Sequence, residues 1–171
     1  MLIGTLGKAF GSFGAFVAGS RDLIEFLVQK ARPYIYTTAL PQPVAAATRK
    51  ALEIAQREPW RRERVLSLTA RFRKAAREAG IALLDSNTPI QPVMIGNSEA
   101  ALQAQQELLD AGLRVVAIRA PTVPRGSERL RVTLSAAHTE HQVDALIESL
   151  CRIRKHSGEP AGHGNEVAAD E

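Results

Sequence analysis

One lysine set among glycines is the group in this chain best placed for chemistry: Lys8, in Gly4-Thr5-Leu6-Gly7-Lys8-Ala9-Phe10-Gly11. Glycine lets backbone approach a ligand closely and take φ > 0, so a lysine on such a turn can be held against a cofactor or a phosphate. A phosphate loop needs a glycine five residues before Gly7 and a hydroxyl residue after the lysine. Leu2 and Ala9 stand there instead, and that reading fails. No G-x-G-x-x-G is present, which sets aside a dinucleotide turn. A Schiff-base lysine is the remaining chemical reading. It needs a neutral amine, obtained by desolvation or neighbouring cations; the apolar run before the turn and Phe10 after it suggest desolvation. Thr5 offers a hydroxyl to a phosphate. The plainer reading of the same residues is an exposed lysine on a flexible turn.

Fewer residues compete for chemistry elsewhere. Arg119, in Arg119-Ala120-Pro121-Thr122-Val123-Pro124, reads on its own as a surface arginine in a proline-flanked turn. His138 directly precedes Thr139 and reads as a helix-entry residue, and His141 as a helix-surface one. Cys151 is the only cysteine, so there is neither a disulfide framework nor a cysteine metal site; a half-buried, inert thiol is expected.

The elements that position these groups follow from pattern. Leu2-Ile3 reads as a strand end and Phe13 to Ala18 as a second short strand. Ser20 caps a helix with Asp22 in its first turn, and Leu23, Ile24, Leu27, Val28 and Ala31 form its inward face until Pro33 ends it. Tyr34 to Leu40 reads as extended. A helix from Val44 to Arg57 follows, with Val44, Ala47, Ala51 and Ile54 or Ala55 inward. A basic helix then runs from Trp60 to Ala79, stopped by Gly80. Beyond it come the apolar run Ile81 to Leu84 and a strand from Ile90 to Ile95, whose Pro92 suggests an edge or bulge. A helix bearing Ala101, Ala104, Leu108 and Leu109 is stopped by Gly112. Strands Leu113 to Ile118 and Leu130 to Leu134 follow, and a final helix is opened by the capping box of Thr139 and Gln142. This order gives an α/β fold, with a small, mostly antiparallel sheet covered by helices. The expected organisation is a large-domain remnant over 1–58, a connecting helix over 59–80, a small domain over 81–155 and a disordered tail over 156–171.

Composition narrows the class. The chain has 171 residues, 45% of them hydrophobic, enough for a core and too many for global disorder. No run approaches the length of a membrane span, and the N-terminus lacks a secretory pattern; a cytoplasmic protein is expected. The net charge of +4 owes much to Arg61, Arg62, Arg64, Arg71, Arg73 and Arg77. A nucleic-acid surface is one reading. A solvated basic helix face is preferred, because Val65, Leu68, Phe72 and Ala76 form one apolar stripe and no aromatic residues interleave with the arginines.

Five segments, in order, resemble the pyridoxal-phosphate α-oxoamine synthases, enzymes of aminotransferase fold type I. They are residues 4–11, Arg32-Pro33-Tyr34-Ile35-Tyr36-Thr37-Thr38-Ala39-Leu40-Pro41, Ile90-Gln91-Pro92-Val93, residues 117–124, and Arg129 through Thr139. The resemblance implies pyridoxal 5′-phosphate as cofactor, with Lys8 as its Schiff-base lysine and later acid/base at the substrate α-carbon. It implies that Thr5 binds the cofactor phosphate, and that Thr37 and Thr38 reach the phosphate of a neighbouring subunit in a homodimer. Arg119 would bind a substrate carboxylate, a role suited to a planar, permanently charged fork, and Thr122 would shape that pocket. The segment around Arg119 most resembles members that join L-alanine to a pimeloyl thioester with loss of carbon dioxide; members using glycine and acetyl-CoA are the alternative. In the family a histidine stacks on the cofactor ring and an aspartate pairs with its nitrogen, both before the lysine. This chain has no histidine before His138. The chain is therefore expected to be the C-terminal half of such an enzyme, inactive alone. A non-catalytic remnant or binding module that uses the basic helix is the reading from a different class.

Overall fold

The computed structural model of the chain describes residues 1–156. The chain divides into two compact units, Met1–Pro59 and Trp60–Glu171. The remainder of the expected tail, 157–171, lies outside the described residues, while His156 belongs to the last helix.

The first unit opens with an antiparallel hairpin of β1 (Leu2–Thr5) and β2 (Ala15–Ala18), in register from Leu2 opposite Ala18 to Thr5 opposite Ala15. Helix α1 (Arg21–Lys30) begins where Ser20 Oγ accepts from the Leu23 amide, and Asp22 and Lys30 lie at the ends where the helix dipole favours their charges. The segment expected to be extended is instead partly helical, as α2 (Arg32–Ile35). Pro33 sits in its first turn, where a missing N–H costs nothing, so the proline starts a helix that pattern reading has it end. Helix α3 (Gln42–Arg57) also has a proline in its first turn.

No residue of this unit is buried. Val28 is exposed rather than inward, and Phe26 is 61% exposed. On α3, Ala47 is exposed and Thr48 takes the half-buried place beside Val44 and Ala51. Helical periodicity identifies an apolar face; it does not supply the surface that covers it.

The second unit has a true core. Helix α4 (Trp60–Glu78) contributes Leu68, Phe72 and Ala76, spaced by one turn and all buried, although the sequence sets this helix apart as a connector. Strands β3 (Ile90–Met94), β4 (Val116–Ile118) and β5 (Arg129–Thr133) form an antiparallel sheet in the order β3-β5-β4. β5 alternates strictly, Leu130 and Val132 buried between outward Arg131 and Thr133. Pro92 lies on β3, the end strand of the three, where its missing N–H faces away from β5 and its carbonyl accepts from the Leu84 amide at 3.1 Å. Helix α5 (Ser98–Asp110) is capped by Asn97 and buries Ala101, Ala104 and Leu108. Leu109, grouped with them by sequence, is exposed. Helix α6 (Glu140–His156) buries Val143, Leu146, Ile147 and Leu150. α6 packs on both α4 and α5, and α5 lies against β4 and β5.

Local capping fixes the helix ends. After α4 the Ile81 amide donates to Ala76 O at 2.8 Å and the Gly80 amide to Arg77 O at 2.9 Å. This bond pair requires a left-handed residue, and Gly80 has φ +67°. Leu113 and Gly112 repeat the pair after α5, bonding Leu108 O and Leu109 O. At the start of α6, Thr139 Oγ1 accepts from the Gln142 amide while Gln142 Oε1 accepts from the Thr139 amide, the reciprocal box expected.

The basic face of α4 is not simply solvated. Arg71 makes a two-pronged contact with Asp144, Nε to Oδ1 at 2.8 Å and Nη2 to Oδ2 at 2.7 Å, and its Nη1 reaches Glu140 at 3.1 Å. Arg64 Nη1 lies 3.8 Å from Glu140. Arg73 is only 13% exposed in its side chain and donates to Gln91 Oε1 at 2.7 Å and Leu84 O at 3.3 Å. Gln91 is fully buried, and its amide donates to Ser86 O and Thr88 O. Buried polar groups are tolerable only when partnered in this way.

Candidate active site

Lys8 lies in the loop joining β1 to β2. The Leu6 amide donates to Gly14 O, the Ser12 amide to Leu6 O at 3.0 Å, and the Gly11 amide to Lys8 O at 2.9 Å. These bonds fold the loop back on itself, and Gly11 takes φ +58° to allow it, a conformation open to glycine at no steric cost. Thr5 is the last residue of β1, so one hairpin presents an amine and a hydroxyl three residues apart. Both residues are exposed. The desolvation expected for Lys8 is not seen, because a unit with no buried residue has nothing to exclude water from the amine. Thr37 and Thr38 follow α2 and are also exposed. Thr5, Lys8, Thr37 and Thr38 all belong to the first unit.

Arg119 and Thr122 lie in one turn of the second unit, closed by the Thr122 amide donating to Arg119 O at 3.0 Å. Both side chains are exposed. The residues after this turn are tied to the start of α5 by Glu128, which sequence reasoning passed over. Glu128 is 2% exposed. Its Oε2 accepts from the Gly126 amide at 2.7 Å and its Oε1 from Ser98 Oγ, at the start of α5, at 3.2 Å. Its backbone carbonyl accepts from the amides of Ile95 and Gly96. Backbone amides, its own foremost and then that of Gly126, with further help from the Ser98 hydroxyl and the charge of Arg125, hold its carboxyl below the usual glutamate range against the opposing effect of desolvation. Only a lone acid before a strand marks it in the sequence, and that is no distinctive signal.

A cleft of about 210 Å³ opens between residues 112–115, the end of β5 and the start of α6. It touches neither Arg119 nor Thr122. His138 lines it, with Nδ1 accepting from the Ser135 amide at 3.1 Å, which suits the helix-entry role read from sequence. Among the described residues no cluster of acids, histidines and cysteines could hold a metal ion, and no helix is long and apolar enough to cross a membrane.

The hairpin lysine, the helices and the short antiparallel sheet coincide with a family match: residues 1–150 fit the aminotransferase class I and II family. The chain belongs to that family. Among its relatives is the 8-amino-7-oxononanoate synthase of Ectopseudomonas mendocina, 61% identical over 150 residues, which cover 88% of this chain and 39% of that protein. The synthase of the same name from Thioalkalivibrio sulfidiphilus is 59% identical over 157 residues, 92% of this chain and 40% of that one. Among solved structures, 8-amino-7-oxononanoate synthase from Francisella tularensis superimposes with a TM-score of 0.81 at 28% identity, over 91% of this chain and 45% of that one. Sphingomonas wittichii serine palmitoyltransferase gives a TM-score of 0.85 at 27% identity, over 91% of this chain and 40% of that one. The chain thus spans about 40% of the length of the curated relatives it matches. The expected α/β architecture of fold type I is borne out.

Proposed function

We propose that this chain is the lysine-bearing part of an 8-amino-7-oxononanoate synthase, which joins L-alanine to pimeloyl-CoA or a pimeloyl carrier thioester with loss of carbon dioxide, in biotin synthesis. The observation that carries this is the 61% identity to such a synthase, over a stretch in which Lys8 is exposed on a glycine-lined hairpin beside Thr5. The donor set fits pyridoxal 5′-phosphate: a primary amine for its aldehyde and a nearby hydroxyl for its phosphate. A Cβ placed on Gly7 would meet nothing nearer than Ser12 O at 3.4 Å, and one on Gly11 nothing within 4 Å, so backbone there is open to a close-lying group. When bound, the cofactor supplies an electron sink for the carbanion at the substrate α-carbon.

The chain's own residues then have distinct tasks. Lys8 Nζ holds the cofactor and moves the proton at the α-carbon. Thr5, Thr37 and Thr38 donate hydroxyl hydrogen bonds to phosphate oxygens, the last two in a homodimer toward the neighbouring subunit. Arg119 pairs with a substrate carboxylate through two parallel N–H bonds, and Thr122 borders it on the same turn. Glu128 fixes the segment after that turn to the start of α5. The working enzyme is cytoplasmic.

Complementation tests the reading. The chain is mixed with the part of the Ectopseudomonas mendocina synthase that the match leaves uncovered, together with pyridoxal 5′-phosphate, L-alanine and pimeloyl-CoA. The expected result is ketone product from the mixture, none from the chain alone, and none with Lys8→Ala. Product from the chain alone, or from a Lys8→Ala mixture, contradicts it. Glycine with acetyl-CoA in place of the two substrates tests the sister activity.

A further inference from the structure

The hairpin that carries Lys8 is fastened to helix α3 by the hydroxyl of one side chain, Ser12. Ser12 Oγ lies 2.6 Å from Thr48 Oγ1. Thr48 Oγ1 itself donates to Val44 O at 2.9 Å. Ser12 Oγ can also donate to Val44 O, at 3.4 Å, so the two hydroxyls and the Val44 carbonyl form one shared contact in which either hydroxyl can donate to the other. The Ser12 amide meanwhile closes the neck of the loop on Leu6 O, and its neighbour Gly11 bonds Lys8 O. Residues 11 and 12 therefore join the turn around Lys8 to a helix more than thirty residues further along the chain. No residue of this unit is buried, so dense packing does not hold the hairpin. Leu40 rests close to Gly14, but an apolar contact sets no direction, whereas a short hydrogen bond does.

We propose that Ser12 is a positioning residue, which sets the place of Lys8 against α3 through its hydroxyl's contacts with Thr48 Oγ1 and Val44 O. The functional part rests on the reading of Lys8 as the cofactor lysine; the bond itself does not.

Amide hydrogen exchange in the full chain tests the bond, with Leu6, Gly11 and Ser12 followed in the unaltered chain and in Ser12→Ala, Thr48→Val and Thr48→Ser. A net hydrogen bond corresponds to about a two- to tenfold change. Ser12→Ala, which removes both contacts, should speed exchange at these amides by that factor, and Thr48→Val, which leaves Val44 O in reach of Ser12, should speed it by no more than that. Their double variant should be no faster than Ser12→Ala alone, and Thr48→Ser should stay near the unaltered rate. Exchange in α1 should not change, which separates repositioning from loss of the whole unit. In parallel, pyridoxal 5′-phosphate is trapped on Lys8 with borohydride at limiting cofactor and counted by peptide mass. The yield should fall in step with the change in exchange in the two broken variants and recover in Thr48→Ser. Unprotected amides in the unaltered chain, no response to either broken variant, or damage from Thr48→Ser equal to that from Thr48→Val would overturn the proposal. So would a trapping yield indifferent to variants that change exchange. Trapping on a different lysine, with the exchange pattern intact, instead refutes the reading of Lys8.

Discussion

Phe72→Ala and Phe26→Ala should differ sharply, although both remove a phenylalanine from an amphipathic helix. Phe72 is 0% exposed, on α4 in the core of the second unit, and Phe26 is 61% exposed on α1. Truncating a fully buried phenylalanine costs about 3–5 kcal/mol, combining lost transfer energy with the cavity left behind. An exposed substitution stays within about 0.5 kcal/mol. A domain of ordinary stability has only about 5–15 kcal/mol in hand, so Phe72→Ala should remove about a fifth or more. Urea unfolding followed by circular dichroism reads this directly. With a slope of about 2 kcal/mol/M, the midpoint of the second unit should fall by about 1.5–2.5 M, and Phe26→Ala should move it by less than about 0.3 M. A Phe72→Ala shift below about 0.5 M, or an equal shift from Phe26→Ala, would refute the view that the folding energy is concentrated in the second unit.

Three further outcomes follow from individual contacts. The carboxyls of Glu128 and Asp144 are held below their usual ranges, Glu128 chiefly by backbone amides and Asp144 by Arg71. A depressed carboxyl adds stability above its unfolded value, 4.5 for Glu128 and 3.8 for Asp144, and loses it as pH falls through the folded value. Thermal midpoints should therefore drop below about pH 4.5, and Glu128→Gln should flatten that drop; an unchanged pH profile would count against the Glu128 contacts. Gly80→Ala should cost about 1–2 kcal/mol, because φ +67° strains any L side chain and the new Cβ would press on the Arg154 guanidinium that bonds Gly80 O; a neutral substitution by denaturant melt refutes this. Gln91→Leu should cost about 1–3 kcal/mol by leaving the Ser86 and Thr88 carbonyls and Arg73 short of a partner, and a stabilised variant would contradict that.

The sequence is most legible where structure is local. The ends of α4 and α5 are written in Gly80 and Gly112, and the start of α6 in Thr139 and Gln142, because capping bonds span only a few residues. The sheet is legible in the alternation of Leu130 and Val132, though β4 begins at Val116 rather than Leu113, since strand length depends on the partner strand. Tyr34 to Leu40 misleads because a proline can open a helix as readily as it closes one. The inward faces expected of α1 and α3 show the limit of periodicity: Val28 and Ala47 are exposed because nothing in the first unit covers them. Lys8 stands out as a lone lysine among glycines. Glu128, Ser12 and the Arg73–Gln91 pair escape notice, because polar contacts between distant residues leave no periodic trace. The arginines of α4 escape for the same reason: their partners, Glu140 and Asp144, lie some seventy residues away.

The role proposed for Lys8 is that of the lysine that meets the cofactor. The direct measurement is to mix the chain with pyridoxal 5′-phosphate, reduce with borohydride, digest, and locate the added mass. Modification concentrated on the peptide containing Lys8, with Lys30, Lys50, Lys74 and Lys155 modified far less, is the result expected. Equal labelling of all five lysines, or labelling that persists undiminished in Lys8→Ala, would contradict it.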